Sequence, residues 1–91
     1  MSAKKRDKLE VIHDILQIIK QNGNQIKPTP LLRFSNLSSQ SFALYEEELL
    51  EKKLMLVQME NKKKFYKITE KGHRYLDQYQ MIRTFMQDFD L

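Results

Sequence analysis

Three consecutive lysines, Lys62, Lys63 and Lys64, follow Asn61 between two stretches rich in apolar residues. Ammonium groups set side by side donate hydrogen bonds and accept none, so they suit phosphate oxygens better than any covalent chemistry. A second group of hydrogen-bonding residues lies upstream, at Ser38, Ser39, Gln40 and Ser41, with Leu44 one turn further on. Glutamine can bond adenine through two atoms, serine donates or accepts, and an exposed leucine matches a thymine methyl. Other cations stand at Lys4, Lys5, Arg6 and Lys8, and at Lys27 and Arg33. Such residues give affinity for a polyanion without reading its sequence.

Catalytic patterns are absent from the chain. His13 and His73 stand in no His-x-x-His or Glu-x-x-His spacing, and there is no cysteine. No metal site, disulfide or thiolate nucleophile is therefore expected. Neither Gly23 nor Gly72 belongs to a phosphate-cradling loop. The residues describe a binder rather than an enzyme, with no cofactor.

These side chains need elements to position them. Leu9, Ile12, Leu16 and Ile19 repeat at helical spacing, and Gly23 ends the segment. Val11, Ile15 and Ile18 widen its apolar surface, so this helix must be packed on two sides. Lys27 precedes proline and is pushed out of helical geometry, with Ile26 in a short extended segment. Thr29 and Pro30 read as cap and first residue of a short helix over Leu31 to Phe34. Ser35, Asn36 and Leu37 allow only a tight turn before Ser38 caps a third helix to about Lys52, which makes a helix-turn-helix. On this third helix Phe42, Tyr45 and Leu49 share the core face. Ser39, Gln40, Ser41 and Leu44 point away from it. Glu48 can pair with Lys52 four residues on. Glu46 lies near the buried side, facing a basic residue of the first helix or the hairpin, and Glu47 lies on the outer face. The period then shifts to two, and runs on either side of "ENKKK" form a hairpin. Thr69 caps the last helix.

That last helix carries Tyr75, Tyr79, Ile82, Met86 and Phe89 at alternating spacings of four and three, widened by Leu76 and Phe85. This is a heptad seam. Two heptads are short for a coiled coil alone, so Val11 and Ile18 of the first helix are expected to support a seam between two chains.

Composition bounds the rest. Ninety-one residues make one small domain with a thin core. The chain is 41% hydrophobic and 31% charged, with only two glycines and two prolines, which suits a helix-rich soluble protein. The apolar run "LEVIHDILQII" is broken by Glu10, His13, Asp14 and Gln17, so neither a signal peptide nor a membrane span is expected, and the default location is cytoplasmic. The net charge of +4 leans toward polyanionic partners.

Four stretches carry a resemblance: "RDKLEVI" from Arg6, "NLS" from Asn36, "LLEKKL" from Leu49 and "YKITEKGHRYL" from Tyr66. With these the chain resembles the archaeal winged helix-turn-helix family of small regulators and chromatin-associated proteins that dimerise through a C-terminal helix. The resemblance implies an α+β, mostly α, fold in the order α-β-α-α-β-β-α. Residues 1–69 would form the winged domain with a basic N-terminal arm, and residues 70–91 the helix of an antiparallel coiled-coil-like dimer. It also implies double-stranded DNA as partner, a nucleoid-associated location, Ser38 to Ser41 and Leu44 in the major groove, and Asn61 to Lys64 on a wing beside the backbone or minor groove. Lys5, Arg6, Lys27 and Arg33 would meet phosphates. The family usually has glycine where this chain has Lys53, at a left-handed helix exit. A winged helix can also serve as a protein-interaction module, and the weakly basic third helix keeps that alternative open; RNA binding is a lesser one.

Overall fold

The Asp7 carboxylate accepts the backbone N–H of Glu10 at 2.8 Å and so starts α1 (Lys8–Gln21). The computed structural model describes residues 6–91; Lys4 and Lys5, expected in a basic arm, lie outside the described residues. Helix α1 is the centre of the molecule, touching a second helix, the last helix and the sheet. Ile15, Leu16 and Ile19 are almost wholly excluded from solvent. Val11, expected in a seam between chains, is only 4% exposed within one chain. Most of the two-sided apolar surface of α1 is covered by its own domain, while Leu9 stays exposed and Ile18 half-buried.

Strand β1 (Gln25–Ile26) leads to α2 (Pro28–Ser35). This helix begins at Pro28, two residues before Pro30, its expected first residue. Lys27 is the extended N-cap residue, without a side-chain cap bond, and Pro28 supplies the preset φ. Pro30 is tolerated because the first-turn N–H groups have no partner inside the helix. Asn36, left-handed at φ 59°, ends α2. The Ser38 hydroxyl then accepts the N–H of Ser41 at 3.1 Å and opens α3 (Ser39–Glu51), as its sequence predicts.

The exit from α3 is paired on both sides. Lys53 adopts φ 59°, its N–H reaches the Leu50 carbonyl at 3.1 Å, and the Leu54 N–H reaches the Leu49 carbonyl at 2.9 Å. These crossed bonds form a Schellman motif, with Leu49 and Leu54 both buried beneath it. The left-handed exit is therefore present even though lysine occupies the position.

Strands β2 (Met55–Glu60) and β3 (Lys63–Ile68) form the hairpin, and the sheet order is β1-β3-β2, antiparallel throughout. Only Asn61 and Lys62 form the tip, both at positive φ, which matches the twist of a tight hairpin. Lys63 and Lys64 belong to the strand, paired with Glu60 and Met59.

Thr69 caps α4 (Glu70–Asp88) by accepting the N–H of Gly72 at 3.0 Å. Its hydroxyl proton faces the carbonyls of Lys53, at 2.7 Å, and Leu54, at 3.0 Å. Gly72 lies so close that a Cβ there would stand 2.3 Å from the Leu54 carbonyl oxygen. Among the described residues no helix is long and apolar enough to cross a membrane.

A non-glycine residue held left-handed costs about 1 kcal/mol relative to glycine. Lys53→Gly should therefore raise the urea midpoint by the equivalent of about 0.5–1 kcal/mol. An unchanged or lowered midpoint would show that the lysine is not strained.

Candidate functional site

From Ser39 to Tyr45 α3 carries no charge, and its carboxylates, Glu46, Glu47, Glu48 and Glu51, all follow. Phe42 and Leu49 face the core and fix the rotation of the helix. Ser39 and Gln40 are exposed, Ser41 is half-buried, and Leu44 is 70% exposed. These four residues thus form one accessible, uncharged end. Ser38 stands apart in role, since its oxygen is engaged in capping.

Two of the carboxylates in the second half of α3, Glu46 and Glu48, serve the fold. Glu48 lies 2.7 Å from Lys8 of α1 and 3.7 Å from Lys52, so the expected pair with Lys52 is the longer of two. The hydrogen bond from Lys8 holds its carboxyl below the usual carboxylate range; desolvation opposes it, and the Lys8 and Lys52 charges add to the lowering. This contribution is present above the ordinary carboxyl value and is lost as pH falls through the lowered one. Glu46 reaches the hairpin, accepting the Tyr66 hydroxyl and lying 3.6 Å from Lys64. Glu47 is exposed, with no cation within ion-pair distance among the described residues.

Not all of the expected phosphate-binding cations are equally available. Asn61, Lys62, Lys63 and Lys64 are exposed at and beside the hairpin tip, Lys64 within ion-pair reach of Glu46, and Lys27 and Arg33 are exposed at the two ends of α2. Arg33 lies 5.3 Å over the ring of Phe34, an exposed aromatic that helical spacing did not single out. Arg6, by contrast, is an internal brace. Its guanidinium bonds Asp14 and the Ser35 carbonyl, both at 2.9 Å, and joins α1 to the end of α2. Lys5 lies outside the described residues.

The heptad seam of α4 divides in two. Its first half packs on α1, where the Tyr75 hydroxyl donates to the Leu9 carbonyl at 2.7 Å and the Tyr79 ring stacks on His13 at 4.6 Å. Beyond that point Ile82, Phe85, Met86 and Phe89 are all exposed, Phe85 at 55%. Ile18 of α1 is half-buried and touches the core. A groove of about 450 Å³ runs between the start of α1 and the end of α4, with Leu9, Tyr79, Ile82 and Met86 in its wall.

A family model described as winged helix-turn-helix matches residues 5–87. Among solved structures, the DNA-binding protein Sso10a-2 from Sulfolobus solfataricus superposes with a TM-score of 0.78 at 20% identity, over 92% of this chain and 85% of that one. A winged-helix DNA-binding protein from STIV superposes with a TM-score of 0.72 at 17% identity, over 86% of this chain and 90% of that one. No curated protein sequence matches significantly.

Burial, followed by the nearby Tyr79 and Asp7, pushes the Tyr75 phenol up to about 12. A raised value favours the folded state fully below the ordinary tyrosine value of about 10, and that preference is lost as pH rises toward about 12. Tyr75→Phe should unfold less steeply over this alkaline window in circular dichroism titrations, while losing about 1 kcal/mol at neutral pH with the Leu9 bond. An unchanged alkaline slope would refute the assignment.

Proposed function

The chain belongs to the winged helix-turn-helix family, and from that premise we propose that it binds double-stranded DNA as a homodimer, as a transcriptional regulator or an architectural protein. The observation that carries this reading is the uncharged, accessible end of α3 in the same small domain as a hairpin tip bearing Lys62 and Lys63. A helix entering the major groove by its N-terminal end brings Ser39, Gln40, Ser41 and Leu44 to base edges and keeps Glu47, two turns in, away from the phosphates. Asn61, Lys62 and Lys63 then follow the backbone or minor groove, and Lys27 and Arg33 meet flanking phosphates. The two similar structures are both of DNA-binding proteins, which supports the same partner here. This is a binding role without catalysis, carried out at the nucleoid.

Dimerisation rests on the far half of α4. Ile82, Phe85, Met86 and Phe89 form an apolar surface that a second copy would cover with the same residues in antiparallel orientation. Exposed apolar side chains at this density are unusual on a monomer of this size.

Gel-shift titration on random duplex tests DNA binding. If a dimer neutralises about six phosphates, log affinity should fall against log salt with a slope of about −5. A flat response would refute the reading and favour a protein partner. Met86→Glu should turn a sedimenting dimer into monomers, whereas a wild-type monomer would leave α4 without this role.

A further inference from the structure

Strand alternation separates the three hairpin lysines. Lys62 is at the tip, and Lys63 and Lys64 point to opposite faces of β3. Lys64 shares its face with Tyr66 and Ile68, both buried, and so lies on the helix side of the sheet, with its side chain still 43% exposed. Its ammonium lies 3.6 Å from the Glu46 carboxylate and 5.1 Å from the centre of the Tyr66 ring. Glu46 is itself held, because it accepts the hydroxyl of Tyr66, whose ring is 2% exposed and packs edge-on against Phe42 of α3. Among the described residues, this is the one ion pair between α3 and the hairpin. Lys62 and Lys63 have no carboxylate within ion-pair distance among those residues.

We propose that Glu46 is a positioning residue that competes with DNA phosphate for Lys64, holding this lysine as a strut between α3 and the wing and leaving phosphate contact to Lys62 and Lys63. The inference rests on the DNA-binding reading and refines its site. Three features favour the strut over an ordinary surface pair. The carboxylate is oriented by a buried phenol, the ammonium lies over that phenol's ring, and the strand register aims Lys64 inward. An exposed pair lacking such support contributes little. The arrangement makes Glu46 a brake on affinity and a guide for the angle of the wing.

The test is salt-dependent titration of the full-length chain on random duplex, using Lys62→Ala, Lys64→Ala, Glu46→Gln and the double variant Glu46→Gln with Lys64→Ala. Glutamine keeps an acceptor for the Tyr66 hydroxyl while removing the charge. Each phosphate contact contributes about 0.9 to the salt slope. Lys62→Ala should flatten the slope by about that amount per wing, and Lys64→Ala should leave it unchanged. Glu46→Gln should steepen it by about 0.9 per wing, so that its advantage over wild type shrinks about threefold per wing, or about twelvefold for the dimer, between 50 and 200 mM salt. Adding Lys64→Ala to Glu46→Gln should abolish that gain, a coupling that simple loss of a surface negative charge would not produce. In the absence of DNA, Glu46→Gln should shift the side-chain NMR signals of Lys64 and leave those of Lys62 in place. A Lys64→Ala slope as shallow as that of Lys62→Ala, or a Glu46→Gln gain that survives removal of Lys64, overturns the assignment. A wild-type chain with no affinity for duplex overturns the DNA reading instead, and the NMR comparison still decides whether the strut exists.

Discussion

The hydroxyl of Thr69 sits where three pieces of chain must meet. It accepts from Gly72 to begin α4 and turns its proton to the carbonyls of Lys53 and Leu54, which leave α3. The backbone N–H of Thr69 also donates to Leu54, and Lys71 Nζ donates to the Lys52 carbonyl. The last carbonyls of a helix have no partner inside it, and here the first turn of α4 supplies three donors to the exit of α3. Both ends of the hairpin are caught in this joint, since Met55 and Ile68 pair at its base. The close approach needs a residue without a Cβ at position 72. The joint ties the exit of α3, the base of the hairpin and the start of α4 together.

Much of this was legible in the chain. The helical spacing of α1, the Ser38 cap with its short preceding turn, and the Thr69 cap all depend on local chemistry, and local chemistry decided them. The start of α2 was less legible because two prolines two residues apart can each begin a helix, and only the extended Lys27 distinguishes them. Val11 illustrates a different limit. A helix apolar on two sides must be covered twice, but periodicity does not say whether the cover comes from the same chain. Ser39, Gln40 and Leu44 are exposed together, as expected, because a single helix rotation places them. The facing of the lysines was not legible, because it depends on the number of residues in the tip, which became known only with the strand register.

Charge follows the same division between local and tertiary causes. The glutamates of α3 looked ill suited to a polyanion-binding helix when counted along the sequence. In the fold Glu48 faces Lys8 of a different helix and Glu46 faces the hairpin, so both are compensated by groups remote in sequence. Arg6 is the converse case. It resembled a free cation of a basic arm, yet its partners are Asp14 and a carbonyl near the end of α2. A net charge of +4 therefore says less about the outer surface than the few cations without internal partners.

The two-residue tip has a consequence for how the hairpin could vary in length. Side chains alternate along β3, so lengthening both strands by one residue between Tyr66 and the tip would turn every residue beyond the insertion to the opposite face. Lys63 would then take the inward place and Lys64 the outward one. Only insertions of two residues per strand would preserve the present facing. The stretch between Tyr66 and Lys64 thus behaves like a gauge with discrete settings, and related chains that keep a lysine facing Glu46 should vary in length there by even steps.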